Sequence, residues 1–135
     1  KEDEIMRKIW ICGAKGQIGQ AINEIIDKLE FKVLDTDIDD LDITDTDEVL
    51  RFGEMNRPDI IINCAGLTNI EECENDISKA YKVNALGARN LSIIARKLEA
   101  KLVHISTDDV FDGKVINLIM SLMKQDHKQL MVNLN

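Results

Sequence analysis

Basic charge is scarce in this sequence. Its 17 Lys and Arg stand against 25 Asp and Glu, giving a net charge of −8 and an isoelectric point near 4.7. A nucleic-acid backbone or an anionic membrane surface requires clustered positive charge, so neither is an expected partner. A small solute is. Paired cysteines are also lacking: Cys12, Cys64 and Cys73 contain no C-x-x-C, and the odd count fits a reduced intracellular chain better than a disulfide framework. No metal site follows from them. The apolar run near the N-terminus, Ile9 to Cys12, is far shorter than a signal-peptide core or a membrane span and leads straight into glycines. A cytoplasmic location is expected. Internal repeats, low-complexity tracts and linkers are missing too, and 135 residues suffice for one packed domain but not for two.

What is present alternates between two periodicities. Ile9–Cys12 reads as a strand, Gly13 ends it, and Ile18, Ala21, Ile22, Ile25, Ile26 and Leu29 recur at helical spacing. "FKVLDTD" (31–37) reads as a second strand and "LDITD" (41–45) as a short third. Thr44 and Asp47 form a capping-box pattern for a helix running to about Met55, closed off by Pro58. "DIIINC" (59–64) is nearly all apolar, as a strand buried on both faces should be. A long amphipathic helix from Ala80 to Leu98 then precedes the buried strand "KLVHIS" (101–106). This alternation implies an α/β fold, a Rossmann-type doubly wound parallel sheet truncated after the fifth strand, with strand order 3-2-1-4-5. Losing later strands would leave Leu102, Val103 and Ile105 near an exposed edge and invite self-association through it.

Gly13, Gly16 and Gly19 form G-x-x-G-x-x-G between a strand and a helix. Such a turn lets a pyrophosphate approach the backbone and sets it at a helix N-terminus, with Gln17 and Ile18 inside the same stretch. Asp35, near the end of the next strand, stands where an adenosine ribose would be held and a 2′-phosphate repelled; it is equally a solvated acid in the run Asp35, Asp37, Asp39, Asp40, Asp42. Lys15 reads as exposed. "NCAGLT" (63–68) places Ala65 and Gly66 at a strand's carboxyl end, either as a close approach to a cofactor or as a plain turn. Asn84 lies among apolar neighbours, and a buried Asn needs partners, so a structural bond to a strand end competes with a catalytic role. His104 reads as a satisfied core residue.

"GAKGQIG", "RPDIIINCAGLTNIEECE", "VNALGARNL" and above all "HISTDDVFDG" resemble the extended short-chain dehydrogenase/reductases, and within them the dTDP-4-dehydrorhamnose reductases, from about residue 7 to residue 113. The resemblance implies NADH or NADPH as cofactor and a nucleotide sugar, dTDP-4-dehydro-L-rhamnose, as substrate, its 4-keto group reduced in dTDP-L-rhamnose biosynthesis. It assigns cofactor contacts to Gly13, Gly16, Gln17, Ile18, Gly19, Asp35, Asp42, Cys64, Ala65, Gly66, Thr68 and Asn84. Thr107 takes the catalytic hydroxyl position, and Thr107 with Asp108 meets the substrate. Asp109 departs from the pattern, where the family commonly has Tyr.

The family's Tyr-x-x-x-Lys pair is not in this sequence: the single tyrosine is Tyr81, and four residues on stands Ala85. Residues 1–113 therefore read as an incomplete dinucleotide-binding domain and 114–135 as a tail foreign to the family. Read from the third base of each codon, Met131-Val132 must give Gly and its neighbours can give Tyr, Lys, Ser and Lys, so the tail is expected to be a frameshift product. Ile116, Ile119, Met120 and Met123 alternatively outline an apolar helical face able to cover the sheet edge or dock on a partner. The activity expected of the 135 residues alone is nil. The other readings are a non-catalytic dinucleotide-binding regulatory module and a fragment of a related sugar-nucleotide epimerase or dehydratase.

Overall fold

A computed structural model describes residues 6–65, 77–107 and 129–134. Their elements are β1 (Arg7–Cys12), α1 (Gln17–Ile25), β2 (Phe31–Thr36), α2 (Thr46–Asn56), β3 (Ile60–Asn63), α3 (Ile77–Leu98), β4 (Lys101–Thr107) and β5 (Gln129–Leu134). The strands form one sheet in the order β2-β1-β3-β4-β5, and every pairing is parallel.

Side chains alternate between the two faces of the sheet, and both faces are covered. On one face Ile9 and Ile11 of β1, Ile60 and Ile62 of β3 and Val103 of β4 pack with Ile18 and Ile22 of α1. On the other, Trp10, Ile61 and Leu102 meet Val49 of α2 and Leu91 and Ile94 of α3. Burial of each such aliphatic side chain contributes about 1.5–3 kcal/mol. Small residues set the helix spacing on the second face. Gly53 of α2 faces Ile94 and Gly87 of α3 faces Ile43, each so closely that an added methyl would overlap the isoleucine.

Several local expectations need correction. Residues 41–45 form turns rather than a strand: Asp42 turns the chain there, its Oδ1 accepting from the Thr44 amide and hydroxyl at 2.9 and 2.7 Å. Because the Thr44 hydroxyl is thus engaged, the cap of α2 falls to Asp45, whose carboxylate accepts from the Glu48 amide at 3.1 Å. α1 ends at Ile25, so Leu29 lies in the following turn and is 92% exposed. Asn90, not Asn84, is the buried amide of α3: it donates to the Ile43 carbonyl at 2.8 Å and accepts from the Thr46 hydroxyl at 3.0 Å.

The largest correction concerns the edge. Leu102, Val103 and Ile105 are buried, because residues 129–134 pair with β4 over the register Leu102↔Gln129 to Thr107↔Leu134. A strand therefore covers the edge; the apolar face predicted at residues 116–123 lies outside the described residues. Ending the chain at residue 128 should lower its stability by on the order of 2 kcal/mol, since each lost ladder bond nets about 1 kcal/mol, partly offset by entropy regained. The unpaired β4 should promote association. Urea denaturation and gel filtration of the shortened and full chains test both effects; unchanged midpoints and elution would mean that β5 adds nothing.

Candidate nucleotide site

At the carboxyl end of β1 the chain must turn sharply into α1, and Gly13 makes the turn with φ +75°, a conformation L side chains resist. Space forbids a side chain as well. A Cβ on Gly13 would stand 2.6 Å from the Ala65 nitrogen and 2.8 Å from the Cys64 carbonyl carbon. The turn is held on its other side by β2, where the Thr36 carbonyl accepts from the Gly13 and Ala14 amides at 2.9 and 3.0 Å. Thr36 is itself fixed, its hydroxyl receiving the indole N–H of buried Trp10 at 2.8 Å. Trp10 in turn packs on Phe52 with ring centroids 4.5 Å apart.

α1 opens from this turn with Gly16 as its N-cap, no side-chain cap and no acid in its first turn. α2 is the contrast, with an Asp45 cap and Asp47 and Glu48 in its first turn. The positive end of α2 is thus neutralised by its own carboxylates, while the first turn of α1 carries no acid to do the same. Gln17 faces solvent, Ile18 and Gly19 are buried, and Gly19 is required because a Cβ there would overlap the Gly13 carbonyl. Lys15 is exposed as expected and pairs with Asp39 at 2.9 Å; that bond raises the Lys15 pKa.

The end of β3 supplies the opposite wall. Buried Cys64 donates its amide to the Cys12 carbonyl at 2.9 Å, and the Ala65 amide bonds the Asn63 side chain at 3.0 Å. Burial pushes the Cys64 thiol up to about 12 and the Cys12 thiol well above its usual range, so both are inert packing groups. Thr107 closes β4 at the same end of the sheet. Gly66, Thr68, Asp108 and Asp109 lie outside the described residues. No group of three His, Cys, Asp or Glu able to hold a metal occurs among the described residues.

Gly13, Gly16, Gln17, Ile18, Gly19, Cys64 and Ala65 therefore converge. One predicted residue does not join them: Asn84 is exposed on α3 rather than buried against a strand end. Asp35 meets the turn from its flank, both carboxylate oxygens 2.6 Å from Asn23 Nδ2, in a groove of about 510 Å³ that Ala14 and Lys15 of the turn line together with Glu24 and Lys28. Asp37 was missed: its Oδ2 accepts from the Lys15 amide inside the glycine turn at 2.9 Å and its Oδ1 from the Ile38 amide at 2.7 Å. The signal available was position, since Asp37 is the first residue past β2.

Two outcomes follow. Gly13→Ala should cost at least about 2 kcal/mol, from a left-handed φ and a backbone overlap together, whereas Gly16→Ala, whose Cβ meets only the Gly13 oxygen at 3.4 Å, should stay within about 0.5 kcal/mol. Urea titration of the pair decides; equal losses would refute the clamp. His104 is buried, its Nδ1 lies 3.3 Å from the Asn63 amide nitrogen, and burial lowers its pKa below the ordinary 6.5. The unfolded chain then takes up a proton that the folded chain resists, so stability falls as pH drops below about 6.5, by at most about 1.4 kcal/mol per pH unit. His104→Gln should remove that limb between pH 6.5 and the folded-state pKa, measured as urea midpoints against pH.

The profile of the RmlD substrate binding domain matches residues 6–128. A dTDP-4-dehydrorhamnose reductase of Aggregatibacter actinomycetemcomitans is 37% identical over 109 residues, 80% of this chain and 37% of that protein. A dTDP-4-keto-6-deoxy-D-glucose reductase of Streptomyces niveus is 40% identical over 103 residues, 76% of this chain and 36% of its own length. The chain thus spans little more than a third of these curated relatives. The crystal structure of a Bacillus anthracis dTDP-4-dehydrorhamnose reductase in complex with NADP superposes with a TM-score of 0.77 at 30% identity, covering 98% of this chain and 54% of that one.

Proposed function

Because the chain belongs to the RmlD substrate-binding domain family, we propose that it is the dinucleotide-binding part of a dTDP-4-dehydrorhamnose reductase, serving NAD(P)H-dependent reduction of the 4-keto group of dTDP-4-dehydro-L-rhamnose. The observation that carries this reading is the glycine turn: uncapped, free of acid in the first turn of α1, and pressed so tightly against Ala65 that only glycine fits. A pyrophosphate at that turn would meet the amides of the first turn of α1, around Gln17, Ile18 and Gly19. Cys64, Ala65, Gly66 and Thr68 would line the crevice beside it. When bound, the nicotinamide supplies hydride.

Thr107, at the carboxyl end of β4, would hold the sugar carbonyl through its hydroxyl, with Asp108 beside it on the substrate. Hydride arriving at the carbonyl carbon leaves negative charge on the oxygen, which a positioned acid must quench. In these 135 residues no Tyr-x-x-x-Lys pair supplies that acid. The same glycine turn would equally serve a module that binds dinucleotide without turning over. Residues 1–113 would be its working part, in the cytoplasm where nucleotide sugars are made; among the described residues no helix is long and apolar enough to cross a membrane.

The 135-residue chain should bind NADH or NADPH in calorimetry yet reduce the dTDP-4-keto sugar about 10²- to 10⁴-fold more slowly than a relative carrying the pair, the usual worth of a positioned general acid. Comparable turnover would sink the claim of inactivity. Failure to bind either dinucleotide would sink the functional reading itself.

A further inference from the structure

We infer that His104 and Asn63 are positioning residues that hold the crevice wall at Ala65, and that a proton on His104 breaks this relay and weakens dinucleotide binding in acid. The inference rests on the dinucleotide reading above and deepens it.

Donor and acceptor chemistry fixes each member in turn. The Ala65 backbone N–H can only donate, and its partner is Asn63 Oδ1 at 3.0 Å. With that oxygen committed, the Asn63 amide nitrogen is the atom turned to His104, 3.3 Å from Nδ1. It too can only donate, so Nδ1 must accept and the ring proton must sit on Nε2. The state of His104 thus sets the side chain of Asn63, and the side chain of Asn63 sets Ala65. The relay ends against the glycine turn, because the Ala65 nitrogen is the atom 2.6 Å from the Cβ position denied to Gly13.

A proton on Nδ1 reverses the condition. Two donors then face each other between residues only 7% and 8% exposed. Turning the Asn63 amide over restores a bond to His104 but sets its nitrogen against the Ala65 N–H, so one of the two bonds is lost whichever way the amide points. The buried side chains that share the sheet face of His104 are uncharged: Cys12 of β1, Val49 of α2, and Leu91 and Ile94 of α3. Met131 of β5 stands beside it in register. Burial keeps the Cys12 thiol protonated, and the Cys64 thiol next to Asn63 is pushed up to about 12. The Asp37 carboxylate is felt at Cys12 but not at His104, whose pKa burial lowers below the ordinary 6.5. The relay is therefore whole at neutral pH and opens as pH falls through that lowered value.

Nitrogen-resolved NMR of the full 135-residue chain, from about pH 7.5 to about pH 5, tests the relay without ligand. Nδ1 of His104 should be unprotonated at neutral pH, and the Ala65 N–H and Asn63 side-chain amide should shift with the same midpoint as His104. Calorimetry with NAD+ should show affinity falling about fivefold across that midpoint, the scale of one hydrogen bond. His104→Gln, whose side-chain oxygen can accept from Asn63 but does not titrate, should abolish the pH dependence of both readouts. Asn63→Asp offers acceptors to Ala65 and to a protonated His104 alike, so the His104 midpoint should rise above 6.5 and Ala65 should stay tied in acid. An Ala65 amide that stays put while His104 titrates, or a ring proton on Nδ1 at neutral pH, overturns the inference and leaves the dinucleotide reading intact. So does an NAD+ affinity that is flat across the midpoint. Binding of NAD+ at no pH overturns the dinucleotide reading and, with it, the inference that the relay serves binding.

Discussion

Two backbone amides converging on one carbonyl, those of Gly13 and Ala14 on Thr36, are the constraint around which the site is built. They join the end of β1 to the end of β2 beyond the ladder and force the chain back over the sheet. Gly13, at φ +75°, presents its own amide and that of Ala14 to this acceptor, and only a residue without a side chain clears Ala65 on the other side. The direction of α1, and so the place where its unneutralised N-terminus points, follows from that junction. Beneath it, the Trp10 indole fixes the Thr36 hydroxyl and Phe52 packs on the indole, so the nucleotide turn is continuous with the α2 side of the core.

On the proposed reading the same junction would let a chain of net charge −8 seat an anion. The attraction would come not from basic side chains, since Lys15 is exposed and paired with Asp39, but from amide dipoles at a helix end whose own first turn carries no acid. α2, in the same fold, shows the alternative arrangement, closed by Asp45, Asp47 and Glu48. Position, rather than the sum of charge, decides which helix is available to a ligand. Composition alone excluded polyanionic surfaces as partners without excluding one small anion held at short range.

Much of this was legible in the sequence because its signals are local. The glycine spacing, the nearly all-apolar run at 59–64 and the periodicity of α3 each report a single element, and each element formed. What failed depended on competition between neighbours or on distant chain. Thr44 carried a capping signal, but Asp42 engaged its hydroxyl first and the cap passed to Asp45. Asn84 and Asn90 are chemically alike on one helix, and their spacing alone does not say which meets the Ile43 carbonyl. The cover over β4 comes from residues more than twenty positions away, beyond the reach of any local pattern.

The position of β5 bears on what the chain can do chemically. By pairing with β4 from Leu102↔Gln129 to Thr107↔Leu134, it supports the strand that would carry the hydroxyl to the sugar carbonyl, and a supported strand end holds a donor more rigidly than a frayed one. Support of that kind does not supply a proton. An alkoxide formed by hydride addition needs an acid within hydrogen-bond reach whose pKa lies near the working pH, and a lone threonine hydroxyl does not meet that condition. On the proposed reading the glycine turn would hold the dinucleotide and Thr107 would meet the carbonyl, while the Tyr-x-x-x-Lys pair that would deliver the proton is not among these 135 residues.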